Sequence, residues 1–145
     1  APEGCVKMLN NLGVKVVEAG DEFDIDNVAI KAVPAYNVNK FRSAGQPFHP
    51  KGLGVGYLIT VNGVTIYHSG DTDFIPEMKK LGKVDIALLP IGGYYTMDCK
   101  EPAQAANAIK PKIVIPMHYS INDNTKANPE DFRKLVDKNI LVEAV

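Results

Sequence analysis

The stretch VTIYHSGDTDF, Val64 to Phe74, reads first as a strand and then as an abrupt stop. Its apolar and β-branched residues suit a strand, and Gly70 followed by Asp71 ends the run with a carboxylate aimed out of the sheet. Burying a valine and an isoleucine does not require that acid. Just upstream, Gly54 to Val61 has the same strand character, and Asn62-Gly63 between the two runs is the two-residue signal for a type I′ hairpin.

Downstream of the hairpin the rhythm alternates. Phe74 to Leu81 reads as helix, Val84 to Pro90 as strand, Glu101 to Lys110 as helix and Lys112 to Met117 as strand. Asp98 stands three residues before Glu101 at capping-box spacing, and Asn128-Pro129-Glu130-Asp131 opens a last helix through Lys138, before a final strand at Ile140 to Val145. Upstream of the hairpin, Val6, Met8, Leu9 and Leu12 form a helical stripe that Gly13 stops. Val14 to Ala19 then reads as a strand, Gly20-Asp21 as a turn, and Glu22 to Ile25 and Val28 to Val33 as two strands around Asp26-Asn27. Pro34 to Gly52 dissolves into Asn, Lys, Ser, Gly and Pro, a loop long enough to be expected at a site. A meander followed by βαβα units predicts a layered α/β sandwich, with no repeat, low-complexity tract or linker.

With 145 residues, 46% of them apolar, the chain can bury one real core, so 1–145 is expected to be a single domain. The 16 basic and 17 acidic residues are interspersed, which gives no electrostatic case for nucleic acid or an anionic membrane. Apolar runs are strand-sized and Ala-Pro-Glu-Gly at the start has no signal pattern, so a cytoplasmic protein is the expectation. Cys5 and Cys99 do not make a disulfide framework and are read as free thiols. A first residue that is not methionine suits a piece of a longer protein.

Three strand ends carry the chemistry: Asp71 after Val64 to Tyr67, the Gly92-Gly93-Tyr94-Tyr95-Thr96 loop after Ile86 to Leu89, and His118 after Ile113 to Ile115. Parallel α/β sheets place ligands at the carboxyl ends of their strands. Each residue has a plain structural alternative. Asp71 could be a turn or cap residue, His118 a hydrogen-bonded core histidine, Gly92-Gly93 a turn, and Tyr94 and Tyr95 packing groups. His68 suits a supporting or packing role. The combination raises a metal site, since a carboxylate and an imidazole on one sheet rim are ligands for Zn²⁺, Mn²⁺ or Fe.

The block from Gly63 to Ser120, and above all SGDT and PMHYS within it, resembles the second half of the metallo-β-lactamase superfamily, in its broad class of small metal-dependent hydrolases. The resemblance implies an αββα-type layered sandwich, of which this chain holds mainly the second half, with Val14 to Val33 as its central meander. It implies further that Asp71 bridges two metal ions about 3.5–4 Å apart and that His118 binds the second. Zinc is the first expectation, with manganese or iron as alternatives. Water held between the ions would then become hydroxide near neutral pH and attack an ester, phosphoester, thioester or lactone. Tyr95, Thr96 and Tyr119 are candidate contacts for a small-molecule substrate, and His68 and Thr72 candidate supports for the ligands.

The chain departs from the family pattern in two places. The first-half signature His-x-His-x-Asp-His is absent, because the histidines are His49, His68 and His118 alone. At the place of a further family histidine stands Asn37, with His49 twelve residues later as the alternative ligand. Either the chain is the C-terminal piece of a longer hydrolase, or it gains its other layer from another chain. Self-association or association with an N-terminal half is expected, because one half of the sandwich alone exposes an apolar sheet face. The competing reading is an incomplete half-fold that serves as an assembly or interaction module.

Overall fold

In the computed structural model, described here for every residue except 7, 8, 10–12, 99 and 145, a seven-stranded mixed sheet organises the chain. Its strands are β1 (Glu22–Ile25), β2 (Val28–Ala35), β5 (Gly54–Val61), β6 (Val64–His68), β7 (Ile86–Pro90), β8 (Ile113–Met117) and β9 (Leu141–Val142), side by side in that order. Pairing is antiparallel from β1 to β6 and parallel from β6 to β9. This is the change from meander to βαβ that the sequence pattern implies. Asn62 and Gly63 both take positive φ, 50° and 77°, as the type I′ turn between β5 and β6 requires.

The sheet's two faces differ. Leu58, Tyr67, Ala87, Val114 and Val142 lie in register on one face, and all but the partly buried Leu58 are sealed beneath α2 (Glu101–Ile109), α3 (Pro129–Arg133) and a 3₁₀ turn at Pro76–Lys80. On the opposite face Ile30, Ile59, Ile66, Ile86 and Ile113 form a row across five strands, and each is only half-buried. Among the described residues α2, α3 and the 3₁₀ turn cover the first of these faces and leave the second. Such an arrangement is one layer pair of the expected sandwich.

Several expectations are corrected. Val14 to Ala19 is not a strand: the Val17 N–H donates to the Ala1 carbonyl and the chain's ammonium group donates to the Lys15 carbonyl, so the segment pairs with the first residue and not with a ladder. At the start, α1 (Glu3–Val6) is a single turn, and Met8 and Leu12 of the expected stripe lie outside the described residues. Within the presumed loop from Pro34 to Gly52, β2 continues to Ala35 and a small hairpin forms from β3 (Phe41–Ser43) and β4 (Gln46–Pro47). The Phe74 to Leu81 helix is reduced to the five-residue 3₁₀ turn, too short for an α-helix to gain its ladder.

The final elements are shorter too. Asn128 caps α3 by accepting from the Glu130 N–H, but the helix ends at Arg133, and β9 is two residues long. Asp98 and Glu101 exchange two reciprocal bonds, 3.4 and 3.3 Å, just before α2, but the cap position is Lys100, which makes no side-chain cap bond, so the expected capping box is displaced from the helix start. Cys5 is a free, exposed thiol, and Cys99 lies outside the described residues.

Candidate metal centre

Asp71 follows β6 across a turn that only glycine serves well. Gly70 has φ +66°, and a Cβ there would lie 2.8 Å from the Val55 carbonyl oxygen, so the turn needs a residue without a side chain. His68 supports the same turn, its Nδ1 accepting from the Gly70 N–H at 3.1 Å. Thr72 is fully buried and exchanges hydrogen bonds with the Tyr36 backbone, accepting from its N–H at 3.1 Å and donating to its carbonyl at 3.0 Å. It thus fastens the loop to the end of β2 and does not touch a candidate ligand directly.

His118 sits one residue past β8 with φ +54°, a left-handed conformation that a non-glycine residue adopts at some cost. His49 comes from the segment after β4, which folds back over the strand ends. Its backbone carbonyl accepts from the Asn37 N–H at 2.9 Å. Two ion pairs hold the stretch between β2 and β5, Lys40–Glu101 at 2.7 Å ahead of β3 and Lys51–Glu77 at 3.1 Å after His49. The first is the firmer, since both its side chains are only 16% exposed.

The three groups converge on the carboxylate. His49 Nε2 lies 3.5 Å from Asp71 Oδ2, and His118 Nε2 lies 3.6 Å from Asp71 Oδ1. Each imidazole therefore faces its own carboxylate oxygen. Asp71 remains 43% exposed, so the cluster opens to solvent. Among the described residues no three metal-ligating side chains close around a single point. The carboxylate is the shared member, with one imidazole at each of its oxygens.

The donor chemistry fits a divalent ion on either side of Asp71, because imidazole nitrogen and carboxylate oxygen are both accepted by zinc and its neighbours. One carboxylate oxygen and one nitrogen per ion leave each coordination shell short. Two buried side-chain polar atoms among the described residues find no hydrogen-bond partner, Thr96 Oγ1 and His118 Nδ1, and both belong to the strand-end loops around this cluster. Buried polar groups usually have a partner, and a water or an ion is among the groups that would supply one here.

Asn37 does not point at Asp71. Its amide is buried and bonds instead to His49, Asp73 and the Tyr95 carbonyl, so the structure brings His49, and not Asn37, to the carboxylate. Sequence reasoning overlooked Asp73, a fully buried carboxylate that accepts from the Val38 and Asn39 N–H groups at 2.7 and 2.8 Å. Its only sequence signal is a second acid two residues after Asp71.

An open cleft of about 390 Å³ runs from Asp71 and His49 past Phe48, Pro50, Leu53 and Val55, and its walls are mainly apolar. Phe48 stacks edge-on against Tyr95 at 5.0 Å between centroids, and Tyr94 meets Tyr95 at 4.6 Å. This aromatic group stands beside His49. Thr96 is a correction: it has no exposed surface and cannot meet a substrate directly. Tyr119 is half-buried and packs against the edge of the core.

Comparison with known proteins agrees with the fold. A family profile described as Beta-lactamase superfamily domain matches residues 3–118. A protein of Thermococcus onnurineus named UPF0173 metal-dependent hydrolase is 40% identical over 132 residues, which make up 88% of this chain and 57% of that protein. A solved structure of a proposed metal-dependent hydrolase from Parabacteroides distasonis superposes with a TM-score of 0.84 at 38% identity, covering 99% of this chain and 62% of the other. Igni18, a metallo hydrolase from Ignicoccus hospitalis, gives 0.78 at 28% identity, with 99% and 63% covered. The chain thus spans about three-fifths of the length of these relatives.

Proposed function

This chain belongs to the beta-lactamase superfamily, and on that premise we propose that it carries the carboxylate-centred part of a metal-dependent hydrolase site. The observation behind the reading is Asp71 standing between His49 and His118, with a different oxygen turned to each. In this reading Asp71, His49 and His118 would be the residues of this chain that hold the divalent metal. Zinc is the first choice, with manganese or iron as alternatives. A bound divalent ion supplies Lewis acidity and a hydrolytic nucleophile near neutral pH.

The chain's own residues would do the rest. Gly70 and His68 fix where the carboxylate stands, and the loop holding His49 is fastened by Lys40 and Lys51. The apolar cleft beside Phe48 suits the uncharged portion of an ester, phosphoester, thioester or lactone. Tyr95, which packs on Phe48, and Tyr119, which follows His118, would be the substrate contacts in this reading. Further ligands must come from residues other than the three histidines of this sequence. The half-buried isoleucine row offers a seat for the segment that supplies them, either a first half of the sandwich or another copy of the chain.

The absence of three converging ligands among the described residues also favours a second reading, in which the chain is an assembly module that holds at most one ion. Hydrolysis separates the two. Zinc-loaded protein is assayed against aryl esters, phosphodiesters, thioesters and lactones, alone and with a His-x-His-x-Asp-His segment supplied in trans. Turnover that appears with the segment and disappears in Asp71→Ala is expected. Segment binding with no turnover of any substrate class would favour the module.

A further inference from the structure

We propose that Asp73 and Asn37 are positioning residues that fix the tautomer of His49, so that its Nε2 lone pair is presented at Asp71. The inference deepens the metal-site reading above and takes its importance from it.

The hydrogen bonds decide the orientation of the Asn37 amide. Its Nδ2 donates to Asp73 Oδ1 at 2.9 Å and to the Tyr95 carbonyl at 3.0 Å, and neither partner can donate in return. Turning the amide over would set its oxygen against a carboxylate and a carbonyl, and its NH₂ against the His49 backbone N–H. The oxygen is therefore on the His49 side. There it accepts from the His49 backbone N–H at 2.7 Å and faces the ring Nδ1 at 2.9 Å.

An amide oxygen has only lone pairs to offer, so the ring atom facing it must carry the hydrogen. A neutral imidazole has a single N–H, and placing it on Nδ1 leaves Nε2 bare, 3.5 Å from Asp71 Oδ2. A bare nitrogen and a carboxylate oxygen repel unless a cation lies between them. Without Asn37 the ring would relax to the Nε2–H form, which a free neutral imidazole prefers in water and which Asp71 would accept.

Asp73 keeps the device in place. It is fully buried, three donors converge on it, and its charge polarises the Asn37 amide and makes the opposite oxygen a better acceptor. A ligand histidine held through its second nitrogen is oriented and made more basic, and losing such a partner weakens metal binding by about 10- to 100-fold.

The test reads the ring nitrogens directly. Long-range ¹H–¹⁵N spectra of the metal-free chain at alkaline pH assign His49 by comparison with His49→Gln. His49 protonated at Nδ1 in the wild type, reversal to Nε2–H in Asn37→Ala, and a mixture in Asp73→Asn are expected. Zinc dissociation constants should rise about 10- to 100-fold in Asn37→Ala. A wild-type His49 protonated at Nε2, or a tautomer unchanged in Asn37→Ala, would overturn the proposal. The wild-type spectrum decides even if Asn37→Ala does not fold. A reversed tautomer without zinc binding by any variant would support the positioning role while removing the metal-site reading.

Discussion

The carbonyl oxygen of His118 lies where a side chain on Gly92 would begin, so the Gly-rich loop after β7 and the turn after β8 can pack only with glycine at this position. Close approach of two backbones is thus what sets the height of His118 above the sheet. Gly92→Ala must push the turn outward. Overpacking of this kind costs about 1–3 kcal/mol, and denaturant titration should read a loss in that range. The same variant should bind zinc more weakly than the wild type. Unchanged stability would mean that the two loops are not in contact.

Asp85 predicts an acid-sensitive fold. Its carboxylate accepts from the Thr65 N–H at 3.0 Å and pairs with Lys112 at 2.9 Å, and these partners hold its pKa down at about 2. An aspartate in the unfolded chain titrates near 3.9. The folded-state value is the lower one, so the stabilisation is fully present above about pH 4 and is lost as pH falls toward 2. Melting temperatures across that window should fall less steeply in Asp85→Asn than in the wild type. Parallel curves would contradict the assignment.

Glu77 anchors the loop that delivers His49. Tyr36 is buried, and its hydroxyl donates to Glu77 at 3.0 Å, while Lys51 reaches the same carboxylate. Glu77→Ala would leave that hydroxyl without its acceptor and should cost about 1 kcal/mol by thermal or denaturant unfolding. Tyr36→Phe combined with Glu77→Ala should cost less than the two single changes added. Strict additivity would show that the bond contributes nothing.

The isoleucine row predicts association. Ile59, Ile66, Ile86 and Ile113 are half-buried on the face turned away from α2 and α3. Light scattering should give a mass above the 15.8 kDa of one chain. Ile86→Lys should shift the population toward monomer and reduce binding of an apolar dye. A monomeric wild type that binds no dye would contradict this use of the face.

What was legible in the sequence follows from how local its cause is. The β5–β6 hairpin depends on Asn62 and Gly63 alone, and both take the positive φ that their identity implies. Asp71 and His118 could be placed on one rim because strand alternation and βα order are encoded over short distances. The His49 segment could not be placed. Its path depends on Asn37 meeting Asp73, 36 positions away, and on Lys40 meeting Glu101, 61 positions away. The β3–β4 hairpin escaped notice because Phe41, Arg42 and Ser43 are all exposed and show no alternation. Val14 to Ala19 misled in the opposite sense, since β-branched residues without a ladder partner do not make a strand.

The most direct measurement is metal content. The wild-type chain, His49→Ala, Asp71→Ala and His118→Ala are each equilibrated with zinc, freed of excess without chelator and analysed by elemental mass spectrometry. The account predicts bound zinc in the wild type, a reduced amount in each histidine variant, and the greatest loss in Asp71→Ala, whose two oxygens face both imidazoles. Equal zinc in wild type and Asp71→Ala, or none in any of the four, would contradict the claim that this carboxylate and its two histidines form a metal centre.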